Sequence, residues 1–258
     1  METTAYSGKE QEINRRVPTF ITGFDDLIEG GFVKNSLNLI SGPAGSGKTI
    51  FCLQYIYNCV KFLKEPGVFI TLEESVDSIK RTMKRFGFDI EKYEYPDKFS
   101  IADLGSIRKE LSIEEEVQTG GLLDVNSLIE YIKGIVSLTG ASRLVIDSMT
   151  ALGIKYNESG IIRQVLFRLG RFLREINSTV LITTESIPYQ NKLTRFDIEQ
   201  FISDSFILLN LIEINGSLKR TLIIRKMRQT NHDMNVHQYK ITSKGFEILR
   251  GNDFYNRF

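Results

Sequence analysis

Four short runs of β-branched and aliphatic residues alternate along the chain with segments in which apolar residues recur at helical spacing. The runs span residues 37–40, 68–72, 144–146 and 180–182, and the helical patterns span residues 51–63, 128–136 and 162–176. Apolar runs of this kind are typical of strands in a sheet that is covered on both faces. The alternation predicts an α/β fold with a mostly parallel central sheet flanked by helices.

The C-terminal part of the chain has a different pattern. Two apolar runs, 206–214 and 218–227, flank the pair Asn215-Gly216, which suits the two-residue turn of a β-hairpin. Residues 236–241 and 246–249 continue this pattern toward the end of the chain. We therefore expect a C-terminal antiparallel hairpin extension on the parallel core.

Residues 96–126 have the least regular pattern. The charged segment 106–117 suggests a short helix that ends at Gly120-Gly121. We expect this stretch to form an excursion over the surface.

The chain has 258 residues without an internal repeat or a Gly-, Pro- or Ser-rich linker. We divide it into a polar N-terminal tail, residues 1–16, and a single domain, residues 17–258. Lys and Arg number 33 against 32 Asp and Glu, and 41% of the residues are apolar. This balance excludes general disorder and argues against a free-standing, non-specific nucleic-acid binder.

Features of the sequence also bear on where the protein is found. Cys52 and Cys59 lie seven residues apart in one predicted helix, too far along its axis for a disulfide. The first 16 residues lack the apolar region of a signal peptide, and the most apolar stretch, 206–214, is far shorter than the roughly 20 residues that span a bilayer. We expect a cytoplasmic protein without a membrane segment.

The segment between the first predicted strand and the first predicted helix carries a phosphate-binding motif. It matches G-x-x-x-x-G-K-[ST] in full with Gly42, Pro43, Ala44, Gly45, Ser46, Gly47, Lys48 and Thr49, and Ile50 follows directly. Glycines allow backbone N–H groups to turn toward phosphates, and the helix N-terminus adds the positive end of its dipole. We expect this P-loop to bind the phosphates of a nucleoside triphosphate, with Lys48 at the terminal phosphates and the Thr49 hydroxyl on Mg²⁺.

A carboxylate ends the third apolar run. Asp147 follows residues 144–146, and P-loop NTPases hold Mg²⁺ with an acid at the end of such a strand. An acid at a strand end can also be a simple helix cap. With the P-loop present, Thr49 and Asp147 are the predicted metal ligands.

Two further acids, Glu73 and Glu74, follow the run 68–72 directly. Ligands bind at the carboxyl ends of the strands in open α/β sheets, so one of the two acids is placed to activate water near the γ-phosphate. Glu73 is favoured because it stays closer to the strand. The alternative is that both acids only begin the next helix, 75–86, where acidic residues suit the first turn.

Lys226 and Arg228 lie two residues apart on the second strand of the hairpin, so their side chains project on one face. Two cations in this arrangement can bind a phosphate, within the subunit or from a neighbour. The alternative is a solvated edge strand protected by charge. The two histidines, His232 and His237, have no Cys or His partner at zinc spacing.

Besides the P-loop, the chain carries a series of short motifs: ITGFDDLIEGGF at 21–32, TLEES at 71–75, IDSMTAL at 146–152, TTE at 183–185, FISD at 201–204 and KMRQTNH at 226–232. Together these motifs resemble those of the KaiC family within the RecA superfamily. They occur in the family's order and cover roughly residues 17–249.

The resemblance implies a RecA-like P-loop ATPase core that assembles as a homo-oligomeric ring, commonly a hexamer, with ATP at the subunit interfaces. It implies that Glu73 and Glu74 are paired catalytic glutamates and that Lys226 and Arg228 reach the nucleotide of the neighbouring subunit. With Lys48, these residues form the expected catalytic set. His232, the last residue of its motif, joins the expected nucleotide-binding set together with Asp147.

The sequence also departs from the family pattern. Circadian-clock KaiC carries two such domains in tandem, whereas one is present here, so a clock role does not follow. Gln200-Phe201 stands where KaiC has its autophosphorylated Ser-Thr pair, and autokinase activity is therefore not expected. Gln229 replaces the usual glycine of the last motif, which leaves the local turn open.

The leading hypothesis is a Mg²⁺-dependent ATPase that hydrolyses ATP slowly and controls protein partners through its ATP state. A recombination or repair ATPase of the RadA type is an alternative, but segment 186–200, where its DNA loops would lie, is neutral on balance. A third alternative is an assembly factor that binds nucleotide and barely hydrolyses it. The presence of both Glu73 and Glu74 argues against that alternative.

Overall fold

A nine-stranded sheet forms the centre of the computed structural model, which describes residues 15–89, 98–104, 125–154, 159–187 and 192–249. Its strands are β3 (Leu37–Gly42), β4 (Gly67–Thr71), β5 (Phe99–Asp103), β6 (Arg143–Asp147), β7 (Thr179–Glu185), β8 (Ser205–Ile214), β9 (Ser217–Met227), β10 (His237–Thr242) and β11 (Gly245–Ile248). A separate two-stranded sheet pairs β1 (Arg16–Val17) with β2 (Phe32–Val33).

The strand order is β11-β10-β9-β8-β3-β7-β6-β4-β5. All neighbours from β8 through β5 pair in parallel, whereas β8, β9, β10 and β11 pair in antiparallel fashion. The predicted parallel core with an antiparallel C-terminal extension is confirmed.

Helices cover both faces of the sheet, as the continuous apolar strands predict. They are α1 (Lys48–Asn58), which continues as a π-helical turn (Cys59–Leu63), α2 (Val76–Arg85), α3 (Val125–Thr139), α4 (Ser159–Glu175) and the short α5 (Glu199–Ile202), with 3₁₀ turns at Asp25–Ile28 and Met149–Ile154. Alternate residues of each strand face opposite cores. Ile40 packs with α1 and α2 on one side, and Leu39 packs with α3 and α4 on the other.

The hairpin turn has the predicted chemistry. Asn215 and Gly216 both have positive φ angles, 51° and 71°. A type I′ turn requires this backbone at both central residues, and its twist matches that of the flanking strands. The turn therefore fixes the register in which β8 pairs with β9 over the eight residue pairs from Ile214–Ser217 to Ile207–Ile224, beyond which the register shifts by one residue at Phe206.

The structure differs from two of the sequence predictions. Residues 99–103, expected in an irregular excursion, form the edge strand β5, and the predicted helix at 106–117 lies outside the described residues. Strand β5 has only five residues, including Ser100 and Asp103, so its apolar signal is short. Arg16, placed in the polar tail, belongs to β1 and pairs with Val33. No described helix has the length and apolar character that crossing a membrane requires.

Two glycines provide a stability test of this fold. Gly31 has φ 141°, and a Cβ there would overlap the backbone carbonyl of Val17. Gly31→Ala should lower the free energy of unfolding by about 2 kcal/mol or more. Gly134, in the middle of α3, has open space around it, so Gly134→Ala should raise the free energy by about 0.5–1 kcal/mol. Urea unfolding measures both, and shifts of the same sign would contradict the described backbone.

Candidate nucleotide-binding site

The P-loop connects β3 to α1 through a turn that only glycine tolerates easily. Gly45 and Gly47 have φ angles of 79° and 95°, in the left-handed region. A Cβ on Gly42 would lie 2.7 Å from Ser46 Oγ and 2.8 Å from the carbonyl oxygen of Leu209. The loop therefore carries little side-chain bulk, and it leads directly into the N-terminus of α1. Backbone N–H groups in this arrangement suit a phosphate group.

Lys48 lies in the first turn of α1, as does Ile50, and its side chain reaches back over the P-loop. Its Nζ donates hydrogen bonds to the carbonyl oxygens of Gly42, at 2.8 Å, and Pro43, at 3.1 Å. Burial lowers the pKa of the Lys48 ammonium, and nearby carboxylates oppose that shift. Those carboxylates belong to Glu185, Asp147 and Glu73. The cation is thus held over the loop by groups that a phosphate can replace.

Thr49 and Asp147 lie next to each other although 98 positions separate them in the sequence. The Thr49 hydroxyl donates to Asp147 Oδ2 at 2.7 Å, and the Thr183 hydroxyl donates to Asp147 Oδ1. Asp147 is buried at the end of β6. A hydroxyl and a carboxylate, both hard oxygen donors, fit Mg²⁺, which binds through few protein ligands and completes its shell with phosphates and water.

The side chains of Glu73 and Glu74 point in different directions. Glu73 Oε1 accepts a hydrogen bond from the Ser148 hydroxyl at 2.7 Å, which places Glu73 beside the end of β6. Glu74 Oε2 accepts one from the Ser78 hydroxyl at 2.8 Å, on the first turns of α2. Of the two glutamates, the geometry favours Glu73 for a role near the P-loop, and both catalytic roles remain predictions.

Three side chains at the site carry no role in the sequence interpretation. Glu185 ends β7 directly opposite Gly42 of β3, and Thr183 lies two residues earlier on the same strand. Tyr239 of β10 donates its phenolic hydroxyl to the carbonyl oxygen of Ser46 in the P-loop. The motif TTE at 183–185 signals Glu185, but the chain order does not show that β7 adjoins β3.

The C-terminal extension also packs against the P-loop directly. A Cβ on Gly47 would lie 2.5 Å from Ile241 Cδ1, so Ile241 occupies the space beside this glycine. The Tyr239 ring stacks on Phe246 of β11 with centroids 4.1 Å apart. Strands β10 and β11 therefore support the loop from the side.

The two basic candidates lie away from the P-loop of their own subunit. Lys226 Nζ donates to the carbonyl oxygens of Gln200, at 2.9 Å, and Ser203, at 2.6 Å. Arg228 Nη1 donates to Asp204 Oδ1 at 3.2 Å. Lys226 is therefore bound to carbonyls and does not form part of a fully solvated strand.

The strand register places Arg228 at the opposite end of the sheet. Its N–H donates to the Asp204 carbonyl, and the Asp204 N–H donates to the carbonyl of Leu37, the first residue of β3. Since Gly42 ends β3, the P-loop lies roughly 17 Å away along the strand. Arg228 is therefore too far from the P-loop of the same chain to contact a phosphate held there.

The turn after β9 contains Gln229 and His232, which the sequence analysis also singled out. Gln229 has a φ of 57°, so it adopts the left-handed backbone that a glycine would take. His232 lies on the same loop, with Nδ1 3.4 Å from the carbonyl oxygen of Thr230. His232 therefore groups with Arg228 at the far end of the sheet and not with the P-loop of its own subunit.

Comparisons with known proteins agree with this architecture. The family model described as ATPase: KaiC matches residues 17–253. The chain is 34% identical, over 96% of its length, to the circadian clock oscillator protein KaiC of Synechococcus elongatus, of which it covers 46%. It is 37% identical to a UPF0273 protein of Thermotoga maritima, with 91% of this chain and 96% of that protein aligned.

A solved structure shows the same fold. The crystal structure of a KaiC-like protein from Pyrococcus horikoshii OT3 superposes with a TM-score of 0.79 at 39% identity, covering 92% of this chain and all of that chain. This likeness confirms the predicted RecA-like fold. The chain spans about half the length of the clock relatives that it matches. On the match to the family model and on these relatives, the chain belongs to the KaiC family of ATPase domains.

Proposed function

We propose that this chain binds ATP with Mg²⁺ and slowly hydrolyses the β–γ phosphoanhydride. In this proposal the sites are shared between neighbouring copies in a ring, and the resemblance to the family indicates a hexamer. The observation that carries the proposal is the division of the predicted residues into two groups. The P-loop, Thr49, Asp147 and Glu73 meet at one end of the sheet, and Arg228 lies at the other.

The first group has the parts that nucleotide binding needs. The P-loop backbone holds phosphates, and Lys48 exchanges its two carbonyl partners for phosphate oxygens. Thr49 and Asp147 hold Mg²⁺, which when bound offsets the charge on the phosphate oxygens. Thr183 keeps the Asp147 carboxylate oriented through its second oxygen.

Water activation is assigned to Glu73. Its carboxylate is fixed by the hydroxyl of Ser148, the residue that follows Asp147 at the end of β6, and its charge acts on Lys48. A carboxylate in that place orients an attacking water and accepts its proton. Glu74, which is bound to Ser78 on α2, acts as the outer member of the pair.

The ring is proposed from the placement of the two groups. Because they lie at opposite ends of one sheet, head-to-tail contact brings Arg228 of one subunit to the nucleotide of the next. Head-to-tail contacts are heterologous, and they form a ring when the rotation closes. An arginine supplied in this way stabilises the charge of the transition state.

Control of protein partners by ATP state is proposed from the relatives, several of which are named circadian clock oscillator proteins. Autokinase activity is not part of the proposal, because Gln200-Phe201 replaces the Ser-Thr pair. DNA is not the expected partner. Within the described part of segment 186–200, Lys192 pairs with Asp197 at 3.5 Å, which offsets its charge.

ATP binding is tested by Lys48→Ala. Loss of a charged hydrogen-bond donor to phosphate costs up to about 3 kcal/mol, so affinity for ATP with Mg²⁺ should fall by roughly 100-fold. Isothermal titration calorimetry measures the change. The control is Lys84→Ala, which removes an exposed lysine from the last turn of α2. Equal ATP affinity in both variants would reject the P-loop assignment.

Hydrolysis is tested by single substitutions at the two glutamates. Glu73→Gln should lower phosphate release by about 100-fold or more while ATP still binds, because the amide cannot accept a proton from water. Glu74→Gln, a change of the same chemistry one residue away, should lower it less. Rates are measured by a coupled phosphate assay. A wild-type protein that binds ATP without releasing phosphate would instead support the assembly-factor alternative.

Sharing of the site is tested by mixing inactive subunits. Lys48→Ala retains the Arg228 side and Arg228→Ala retains the P-loop side, so random rings at equal amounts should have about one quarter of their sites complete. Mixing Lys48→Ala with Glu73→Gln is the control, because both changes lie on the same side and leave no complete site. Light scattering with and without ATP and Mg²⁺ checks assembly. Absence of activity at every ratio of the first pair would reject a shared site.

A further inference from the structure

The carboxylate of Asp204 holds the guanidinium of Arg228. Arg228 Nη1 donates to Asp204 Oδ1 at 3.2 Å, and the Arg228 side chain is still 52% exposed. Arginine has five N–H donors in a planar fork. The contact with Asp204 therefore fixes one edge of the guanidinium and leaves other donors available to a phosphate.

Asp204 is itself fixed to the central strand of the sheet. Its Oδ2 accepts from the backbone N–H of Leu37 at 3.0 Å, and its own N–H donates to the Leu37 carbonyl at 2.6 Å. Its carbonyl accepts from the N–H of Arg228 at 3.0 Å. Asp204 thus joins the start of β3 to the end of β9. Hydrogen bonds to backbone groups, and not to flexible side chains, set its position.

The Asp204 carboxylate lies at the edge of a cavity and beside a second basic side chain, that of Arg174. Asp204 and Arg228 line a cavity of about 680 Å³, together with Asn35 and Asn177. Arg174, in the last turn of α4, lies 3.4 Å from the same Oδ1 that binds Arg228. Two cations therefore share one carboxylate oxygen at the edge of a space large enough to admit part of another molecule.

We propose that Asp204 is a positioning residue for Arg228, holding its guanidinium toward the neighbouring subunit's nucleotide; this rests on the proposed shared site. A free arginine side chain samples many rotamers, and misplacement of a reacting or stabilising group by about 1 Å can cost 100-fold in rate. Asp204 removes that freedom before the subunits meet. Because Arg174 shares the charge of Asp204, this carboxylate does not fully neutralise Arg228, whose exposed donors still attract phosphate.

The test is a double-mutant cycle on the full chain. Asp204→Asn keeps the shape of the side chain but removes its charge, and it should lower kcat for ATP hydrolysis about 10- to 100-fold with KM for ATP within about twofold of wild type. Because Asp204 acts through Arg228, the double variant with Arg228→Ala should be no slower than Arg228→Ala alone. Glu175→Ala, which removes the exposed partner of Arg171, is the control and should leave kcat unchanged.

Subunit mixing separates positioning from folding. Asp204→Asn subunits have an intact P-loop, so mixing them with Lys48→Ala subunits should restore phosphate release as for Arg228→Ala. The proposal is overturned if Asp204→Asn has wild-type kcat, if its loss multiplies with that of Arg228→Ala, or if the variant is unfolded by circular dichroism. If wild type and Arg228→Ala release phosphate equally, the shared site of the proposed function is what fails.

Discussion

The register of four parallel strands determines where the carboxylates at the candidate site lie. Gly42 of β3 stands opposite Glu185 of β7, and Thr71 of β4 stands opposite Asp147 of β6. A slip of one residue would turn each of these side chains to the other face of the sheet. Helices cover both faces, so such a slip would exchange the residues of the two cores, and their side chains would no longer fit the helices they pack against.

The antiparallel extension links the two ends of the molecule. Strand β9 carries Lys226 and leads into Arg228 at one end, and β10 returns to place Tyr239 and Ile241 against the P-loop at the other. The parallel core alone supplies the phosphate-binding loop and the acids. The extension therefore adds the contacts that support the P-loop, and it also adds Lys226 and Arg228 at the opposite end of the sheet.

The sequence predicts the local features of this structure well. The P-loop, the type I′ turn at Asn215-Gly216 and the apolar strands depend on nearby residues, so their signals are complete within a few positions. The contacts between distant segments were not predictable in the same way. Glu185 and Asp204 acquire their neighbours only when β7 and β8 pair with β3, and chain order does not reveal that pairing.

The edge strand β5 shows a different limit. Phe99–Asp103 gains its structure by pairing with β4, since an isolated strand of five residues has little intrinsic stability. Local propensity therefore favours an irregular segment there, and tertiary pairing overrides it.

The separation of the P-loop and Arg228 along one sheet also sets a counting rule for assemblies. In the proposed head-to-tail assembly each contact would yield one complete site, so an open chain of n subunits would have n − 1 complete sites and a closed ring would have n. A single subunit would have none, and a head-to-tail pair would have one. The last site would form only when the ring closes, so that closure of the proposed ring and completion of its catalytic capacity would be the same event.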